Sequence, residues 1–499
     1  MRTDHPDTVG RLLAGRASGR GDHPLLICDH ERLSYRQAEE QSAQLARGLV
    51  DLGVGKGTHV GVLQPNSAAF VVAMLAASRI GAVVVPFSTF ATGAELRDQL
   101  IHSDTEILLS ASGFRGHDYA ARLAAVTAPS LRHVVFDNRI TGDSALLPAL
   151  EDDVEGCDPL AIIYTSGSTG VPKGAVHTHE SLLGHQRNLN EIRGLTAKDR
   201  LFCNSPFFWI GGFAFGLLAT LLAGSTLLCS NATDPAETLD LLEAVRPTVT
   251  NGFAAGVAHL ARQNSFPGRD LSSMRRGNLY PIMAPDVRPR DPELRHAMLG
   301  MTEGGSVVLL SGDETDQPEH RRGSFGKPAP GFETRVVDAD SGETAAAGEL
   351  LLRGRYLMQH YHKRSREECF DADGWFHTGD LVRVDDDGFF YFLGRRGSMI
   401  KTAGANVSPI EVERAILAVS GMAAHVLGLP NSERGQIVAA VVVIPDGARL
   451  DVAALREELK AELSSFKIPR RIVGVRAGEI PLMSSGKVDM RRLAELLDA

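Results

Sequence analysis

Cysteine is scarce in this chain, and basic residues are fewer than acidic ones. The 499 residues include five cysteines, whose odd number and wide spacing exclude a disulfide framework, and the lack of a C-x-x-C pair argues against a zinc site. Lys and Arg total 52 against 61 Asp and Glu, and the net charge of −9 argues against nucleic acid as a partner. The opening residues "MRTDHPDTVG" lack the apolar core of a signal peptide, so we predict a cytoplasmic protein.

Charge is absent from one long stretch, residues 206–229, "PFFWIGGFAFGLLATLLAGSTLLC". Its length alone would allow it to cross a bilayer. However, Gly211, Gly212, Gly216 and Gly224 interrupt it, and no flank rich in Lys or Arg orients it. We therefore predict a buried helix and strand that line an apolar cavity, with no transmembrane segment.

Helical and strand periodicities alternate from about residue 33. The pattern predicts an amphipathic helix over residues 35–53, a strand over 59–63, a helix over 67–81 and a buried strand over 82–86. Strands that alternate with helices are typical of βαβ units. The fold class is therefore predicted to be α/β, with a mostly parallel sheet.

A basic, glycine-rich stretch at residues 392–409 interrupts this pattern. After it, Ser408 and Glu411 form a predicted capping box, and the apolar spacing over 451–463 predicts a second helix. These features predict a large α/β body, a hinge and a small α+β lid, with boundaries at 1–394, 395–398 and 399–499.

The stretch "IIYTSGSTGVPKG" at residues 162–174 has the composition of an anion-binding loop. Small residues allow backbone N–H groups to converge on phosphate oxygens, while hydroxyl groups and a lysine add donors and charge. The kinase-type P-loop requires G-x-x-x-x-G-K-[ST] before a helix. Here Pro172 directly precedes Lys173, and the following "AVHTH" is strand-like, so that template fails.

This loop resembles the signature of the adenylate-forming enzymes, which include acyl-CoA synthetases, peptide-synthetase adenylation domains and luciferases. Four more stretches resemble motifs of that family in the same order: "LGMTEGG" at 299–305, "GWFHTGDL" at 374–381, "GRRGSMIKTAGANVSPIEVE" at 394–413 and "PLMSSGKVDMRRL" at 481–493. The likeness covers nearly the whole chain. It implies that the multi-subdomain N-terminal body has the acyl-CoA synthetase/luciferase fold and carries ATP and acyl sites.

The resemblance implies two half-reactions that use ATP, Mg²⁺ and coenzyme A. A carboxylate attacks the α-phosphate of ATP to give an acyl-adenylate and pyrophosphate, and a thiol then displaces AMP. The first step brings two anions together, so it needs cations and hydrogen-bond donors placed in advance. An AMP-forming acyl-CoA ligase is therefore the leading hypothesis.

Residue roles follow from the same resemblance. Thr302 would touch the α-phosphate, Glu303 would bind Mg²⁺, and Asp380 with Arg395 would hold the ribose hydroxyls. Lys487 would bridge the substrate carboxylate and the α-phosphate. The β- and γ-phosphates would be held by Thr165, Ser166, Gly167, Ser168, Thr169, Gly170 and Lys173.

The resemblance also implies that the small domain rotates between the two steps. One pose would bring Lys487 into the site, and the other would form a thiol tunnel with Ala403 and Gly404, where glycine allows close backbone approach. Ser398 stands where relatives carry Asp or Lys at the pivot.

Three stretches depart from the family pattern. Trp209 replaces a usual histidine, and "KTAGAN" replaces a Gly-Gly-Glu core. Leu299 stands where an aromatic residue is expected, which leaves the adenine contacts open, with Tyr280 as a candidate substitute. These departures indicate a divergent branch with altered substrate or nucleotide fit.

The acyl pocket is predicted to be apolar and to lack a charged partner for an amino group. This favours a fatty, alicyclic or aryl acid over an amino acid. The candidate lining residues are Trp209, Ile210, Gly211, Phe213, Gly252, Phe253, Ala254 and Met301.

Other hypotheses stay open at this stage. The enzyme could pass its acyl group to the thiol of a carrier protein in trans, because the chain has no carrier domain of its own. A non-catalytic nucleotide-binding or membrane-associated protein is an alternative from another class. The sequence leaves the acid, the pathway and the oligomeric state open, a dimer included.

Overall fold

The computed structural model describes residues 7–124, 126–165, 173–338, 341–396, 400–402, 405–431, 435–463, 467–483 and 487–498. The chain forms two compact units. Unit 1 comprises Met1–Glu333 and Arg353–Gly374, and unit 2 comprises Thr334–Leu352 and Trp375–Ala499.

Helices and strands alternate through most of unit 1, whereas unit 2 is richer in strands. The α-helices are α1 (Val9–Arg20), α2 (Tyr35–Asp51), α3 (Ala68–Arg79), α4 (Gly93–His102), α5 (Tyr119–Ala124), α6 (Leu147–Asp153), α7 (His179–Ile192), α8 (Ala219–Ala223), α9 (Pro235–Val245), α10 (Ala258–Ala261), α11 (Pro409–Ser420), α12 (Val452–Glu462) and α13 (Met490–Asp498). The strands are β1 (Pro24–Cys28), β2 (Glu31–Ser34), β3 (His59–Leu63), β4 (Val83–Pro86), β5 (Ile107–Ser110), β6 (Gly113–Phe114), β7 (His117–Asp118), β8 (His133–Phe136), β9 (Pro159–Thr165), β10 (Lys173–Thr178), β11 (Arg200–Cys203), β12 (Thr226–Cys229), β13 (Val249–Asn251), β14 (Arg276–Gly277), β15 (Leu299–Met301), β16 (Ser306–Leu310), β17 (Lys327–Pro328), β18 (Phe332–Val337), β19 (Ala347–Gly354), β20 (Phe376–Val384), β21 (Phe390–Arg395), β22 (Ile400–Thr402), β23 (Ala405–Val407), β24 (Ala424–Asn431), β25 (Gly435–Val443) and β26 (Arg471–Val475).

Two six-stranded sheets dominate unit 1. The first has the order β14-β13-β11-β12-β1-β2, and the second has the order β10-β9-β4-β3-β5-β8. All neighbouring pairs are parallel except β1 with β2 and β9 with β10. The α/β class with mostly parallel sheets, predicted from the sequence, is therefore confirmed. The carboxyl ends of parallel strands share one edge, where open α/β sheets bind their ligands.

The predicted elements of the first 90 residues form close to their expected bounds. The strand over 59–63 is β3. The helix over 35–53 is α2, which ends two residues early, and the helix over 67–81 is α3, which begins one residue late and ends two residues early. Ser34 starts α2 because its side chain accepts a hydrogen bond from the N–H of Gln37, and Ser67 starts α3 in the same way.

The charge-free stretch folds as a helix followed by a strand, as predicted. Residues 211–218 form a π-helix that continues into α8 and then β12, in the first sheet. A Cβ at Gly212 would lie 2.1 Å from the carbonyl oxygen of Pro206, so only glycine permits this close approach. Asn190 of neighbouring α7 donates to the carbonyl of Ala219, and Arg193, the residue directly after α7, donates to that of Phe215. Among the described residues, no helix is long and apolar enough to cross a membrane.

Unit 2 holds a five-stranded sheet with helices on both faces. Strand β25 is the centre of this sheet and pairs with β22, β24 and β26. Val438, Ala440 and Val442 face one apolar cluster with α11 and α12, while Ala439 and Val441 face another with α13. Both faces are therefore covered, which explains why β25 reads as a continuous apolar run instead of an alternating one.

The start of α11 follows half of the predicted capping box. Ser408 precedes the helix, and its side chain accepts from the N–H of Glu411. The carboxylate of Glu411, however, pairs with Lys467, with 2.6 Å between Nζ and Oε1. Lys467 lies outside the local motif, so sequence spacing could not reveal this pairing.

A second sheet, β18-β19-β20-β21, is assigned mostly to unit 2. Unit 2 therefore begins earlier in the chain than the predicted boundary at residue 394, because residues 334–352 and 375–394 group with the C-terminal segment. The hinge at 395–398 stays a prediction, since 397–399 lie outside the described residues.

Candidate active site

The predicted phosphate loop begins where a parallel strand ends. Thr165 is the last residue of β9, Lys173 is the first of β10, and the two residues face each other in an antiparallel pair. Because a strand and not a helix follows the loop, the kinase-type P-loop is excluded by context as well as by spacing. Five predicted phosphate ligands lie outside the described residues: Ser166, Gly167, Ser168, Thr169 and Gly170.

A distant segment of unit 1 runs along β10. The N–H of Val176 donates to the carbonyl of His360, and the N–H of His362 donates to the carbonyl of Gly174, at 3.0 and 2.7 Å. Ala175 and Tyr361 form the antiparallel bridge between these bonds. The segment thereby brings Tyr361 next to the strand that leaves the phosphate loop.

Tyr361 connects two predicted ligand sites. Its hydroxyl donates to Oε1 of Glu303 at 2.6 Å, and the ammonium of Lys173 lies 5.4 Å from the centre of its ring. Burial, and then the neighbouring Glu303 carboxylate, raise the pKa of Tyr361, so the hydroxyl keeps its proton and acts as a donor. The predicted Mg²⁺ ligand and the lysine of the phosphate loop are therefore neighbours of one side chain.

Side chains from β10 and α7 fix the backbone around the Thr-Glu motif. His177 Nε2 lies 2.7 Å from the carbonyl oxygen of Thr302, His185 Nε2 lies 2.9 Å from that of Val307, and Gln186 donates to that of Gly305. Burial lowers the pKa of both histidines to about 4, so they are neutral at pH 7. A neutral imidazole donates through one nitrogen, as these contacts require.

Asp380 and Arg395, the predicted ribose-binding residues, lie in unit 2. Asp380 and Arg395 are direct cross-strand partners on β20 and β21, and Arg395 Nε lies 2.7 Å from Asp380 Oδ1. The carboxylate of Asp380 is buried, whereas the Arg395 side chain is exposed. The structure thus brings together two residues that the sequence places 15 positions apart.

Glu349 is a second buried carboxylate beside this pair, and no sequence motif includes it. It accepts from the N–H of Gly379 at 3.0 Å and from Arg396 at 2.9 Å. Thr378 donates to the carbonyl of Leu350, so the turn before Asp380 is tied to β19 twice. A lone Glu in a strand carries no sequence signal of this role.

Lys487 closes a small antiparallel hairpin of unit 2. Leu482 bridges Val488, and the N–H of Met483 donates to the carbonyl of Lys487 at 2.7 Å. Partial burial, and then the charge of Arg395, lower the pKa of Lys487. Ala403 and Gly404 of the predicted thiol tunnel lie outside the described residues.

The predicted acyl residues all lie in unit 1. The indole contacts Phe253 edge to face, with ring centroids 5.9 Å apart. Gly211 opens the π-helix directly after Trp209, and Met301 is buried at the end of β15. Tyr280, the candidate adenine contact, is partly buried and packs against an apolar cluster.

Two asparagine side chains clamp the backbone at Gly252 and Phe253. Asn204 accepts from the N–H of Phe253 and donates to its carbonyl, each at 2.9 Å. Asn278 makes the matching pair of bonds with Gly252, at 3.1 and 2.8 Å. Gly252 has φ +137°, and a Cβ there would lie 1.8 Å from Asn204 Oδ1, so this position requires glycine.

The donor set suits Mg²⁺ bound mainly through substrate phosphates. The described residues contain no group of three or more His, Cys, Asp or Glu side chains that could hold a metal. Glu303 nevertheless offers a carboxylate oriented by Tyr361, and Mg²⁺ commonly uses one or two carboxylates together with phosphate oxygens and water.

Comparisons with known proteins agree with this arrangement. Residues 13–362 match the family described as AMP-binding enzyme, and residues 411–487 match the AMP-binding enzyme C-terminal domain. A methyl-dioxo-octahydroindenyl-propanoyl:CoA ligase of Mycobacterium tuberculosis is 32% identical, over 95% of this chain and 96% of its own. A feruloyl-CoA synthase of an Amycolatopsis species is 32% identical, over 91% and 92% of the two chains.

Solved structures show the same fold. ATP-bound MatB from Rhodopseudomonas palustris superposes with a TM-score of 0.80 at 25% identity, covering 97% of this chain and 98% of its own. The anthranilate CoA ligase AuaEII gives a TM-score of 0.82 at 23% identity, over 99% and 98% of the two chains. The chain therefore belongs to the AMP-binding enzyme family, and it is an AMP-forming acid–thiol ligase that uses ATP, Mg²⁺ and coenzyme A.

Proposed function

We propose that the enzyme activates an apolar carboxylic acid, of the fatty, alicyclic or aryl type, and transfers its acyl group to coenzyme A. This proposal rests on one observation: the indole of Trp209 contacts the rings of Phe90, Phe208 and Phe253. Aromatic walls favour apolar groups, and these rings offer no charged partner to an ammonium or a second carboxylate. The feruloyl-CoA synthase among the relatives supports the same class of substrate.

The chemistry runs in two displacements. A carboxylate oxygen attacks the α-phosphorus of ATP while the bond to pyrophosphate breaks, and the thiolate sulfur of coenzyme A then attacks the acyl carbon while AMP leaves. Thr165, Lys173 and the loop between them would hold the β- and γ-phosphates, and Thr302 would contact the α-phosphate. Mg²⁺ on Glu303 would neutralise phosphate charge.

Unit 2 contributes the remaining roles in this proposal. Asp380 would bind the ribose hydroxyls with help from Arg395, and Glu349 would keep the preceding turn in place. Lys487 would stabilise the negative charge that develops between the carboxylate and the α-phosphate. Ala403 and Gly404 would line the thiol path after rotation about 395–398.

Pyrophosphate release with a panel of acids tests the proposal. We expect release with apolar acids, a single turnover without coenzyme A and sustained turnover with it. Release that depends on the acid but never turns over with coenzyme A would favour a carrier-protein thiol as acceptor. Preference for amino acids, or no acid dependence, would contradict the proposed substrate class.

The hydroxyl of Tyr361 is expected to matter for Mg²⁺. In Tyr361→Phe, the bond to Glu303 is lost while the ring remains, so the carboxylate is no longer held in one orientation. Loss of such a partner typically weakens metal affinity or activity by about 10- to 100-fold. We expect at least a tenfold rise in the Mg²⁺ concentration for half-maximal pyrophosphate release.

The control for this variant is Tyr391→Phe. Tyr391 also donates to a carboxylate, Asp385, at 2.8 Å, in the hairpin that joins β20 and β21. Its loss should leave the Mg²⁺ dependence unchanged. Equal shifts in the two variants would show that Tyr361 acts through general stability and not through Glu303.

A further inference from the structure

Four aromatic side chains of unit 1, Phe90, Phe208, Trp209 and Phe253, form a patch that we call the aromatic patch. We propose that the aromatic patch selects carboxylic acids that carry an aromatic ring over saturated acids of similar size, with Phe90 and Phe253 as specificity-determining residues. This inference rests on the proposed function and narrows its substrate class.

The rings of the aromatic patch are arranged edge to face. Trp209 lies at the centre, with centroids 5.6 Å from Phe208, 5.9 Å from Phe253 and 6.3 Å from Phe90, at interplanar angles of 77°, 84° and 61°. Phe90 and Phe208 lie 5.5 Å apart at 86°. These are the separations and angles that aromatic rings prefer, because the positive edge of one ring meets the negative face of another.

The outer rings of the patch are open to an incoming ligand. Phe208 is 4% exposed, whereas Phe90 is 40% and Phe253 is 55% exposed. Large apolar side chains that remain exposed within one patch commonly mark a binding surface. A further aromatic ring could extend the edge-to-face array at these exposed positions.

The patch is assembled from the ligand-binding edges of both large sheets. Phe90 follows β4, whose parallel neighbour β9 ends at Thr165, where the phosphate loop begins. Trp209 and Phe253 follow β11 and β13, which are parallel neighbours in the first sheet. The π-helix that follows Trp209 packs against β16, the strand after Glu303. The topology therefore places the patch on the same side of unit 1 as Thr165, the last residue of β9.

Backbone clamps hold the patch in one arrangement. Asn204 and Asn278 fix Gly252 and Phe253, as described above. Buried Asn66 accepts from the N–H of Phe207 and donates to the carbonyl of Ser205, which fixes the approach to Trp209.

The loop that carries Phe90 is held in a comparable way. Tyr119 donates to the carbonyl of Thr89 at 3.0 Å, and Arg122 donates to that of Ala91 at 2.6 Å. A surface that is ordered before binding suits a rigid ring better than a flexible chain, because the chain loses more conformational freedom on binding.

Three acids with nine carbons separate ring planarity from size. 3-Phenylpropanoate, 3-cyclohexylpropanoate and nonanoate carry the same carboxylate and carbon number. An edge-to-face contact adds roughly two- to tenfold in binding beyond the area that is buried. We expect kcat/KM for adenylation to fall in the order phenyl, cyclohexyl, linear, with a phenyl-to-cyclohexyl ratio in that range.

Leucine variants test whether the aromatic patch causes the preference for the phenyl acid over the cyclohexyl acid. Phe90→Leu and Phe253→Leu keep an apolar side chain but remove the ring. Whatever the rate with 3-cyclohexylpropanoate, each variant should bring the phenyl-to-cyclohexyl ratio of kcat/KM close to one. Phe389→Leu, in the hairpin of unit 2 between β20 and β21, is the matched control and should keep the wild-type ratio.

The outcomes distinguish this inference from the proposed function. The wild type could adenylate all three acids with a phenyl-to-cyclohexyl ratio near one, or both leucine variants could keep the wild-type ratio. Either result would overturn the selection of aromatic rings while the proposed function stands. Failure to release pyrophosphate with any apolar acid would overturn the proposed function itself. A ratio lost equally in Phe389→Leu would show a general effect and would also overturn the inference.

Discussion

Lys487→Ala is expected to lower acid-dependent pyrophosphate release by about two to three orders of magnitude, the loss seen when one preorganised donor to developing charge is removed. The adenylation step brings a carboxylate toward a phosphate, and Lys487 is the proposed cation between them. Its pKa is lowered by partial burial and by Arg395. The repulsion between the Lys487 ammonium and Arg395 is relieved when an anionic substrate binds between them and neutralises their charge. This relief of repulsion favours substrate binding.

The effect of this variant should be confined to one half-reaction. Thioester formation from a supplied acyl-adenylate and coenzyme A should proceed at close to the wild-type rate in Lys487→Ala. Lys460→Ala is the matched control, because Lys460 is an exposed lysine of α12 that pairs with Glu457 on the same helix. Equal loss of both half-reactions would refute the division of labour.

Acid is expected to destabilise unit 1 steeply, because three of its histidines are buried and neutral. Burial lowers the pKa of His177, His179 and His185 to about 4, against about 6.5 in an unfolded chain. As the pH falls through 6.5, these histidines bind protons in the unfolded chain but stay neutral in the native state. Stability is therefore complete above pH 6.5 and is lost progressively toward pH 4, on the order of 1–2 kcal/mol for each histidine at pH 5.

Urea unfolding at pH 7 and pH 5 measures this loss. The chain has two tryptophans, one in each unit, so Trp209 fluorescence in a Trp375→Phe background reports on unit 1 alone. His179→Gln should remove the contribution of one histidine, on the order of 1–2 kcal/mol of the difference between pH 7 and pH 5. Glutamine can accept the bond from the N–H of Val9 without binding a proton. His320→Gln, at an exposed position, should leave it unchanged. Equal stability at the two pH values would contradict the prediction.

The fold was predictable wherever periodicity is local. The elements from α2 to β4 were predicted to within a few residues, because capping residues such as Ser34 and Ser67 and the buried faces can be recognised within short segments of sequence. The mostly parallel sheets followed from the alternation of these elements. The grouping of 334–352 with the C-terminal segment was not predictable, because it depends on strand pairing between residues far apart in sequence.

The active-site motifs were recognisable because each is a compact string of residues. The residues that hold these motifs in place could not be recognised from the sequence. Tyr361 reaches Glu303 across 58 positions, and Asn278 reaches Gly252 across 26. A lone Tyr or Asn has no local pattern that distinguishes a supporting role from an ordinary surface position. Only the three-dimensional pairing of β10 with residues 359–362 identifies Tyr361 as part of the site.

The asparagine clamps at Gly252 and Phe253 have a consequence for enzyme performance. An amide side chain does not titrate, and bonds between neutral groups are not screened by salt, unlike contacts between exposed ions. The discrimination between two acids of equal charge should therefore hold constant across pH and ionic strength, even where acid erodes the stability of the protein. Substrate discrimination and stability against acid would therefore depend on different side chains of unit 1, the first on the two asparagines and the second on the buried histidines.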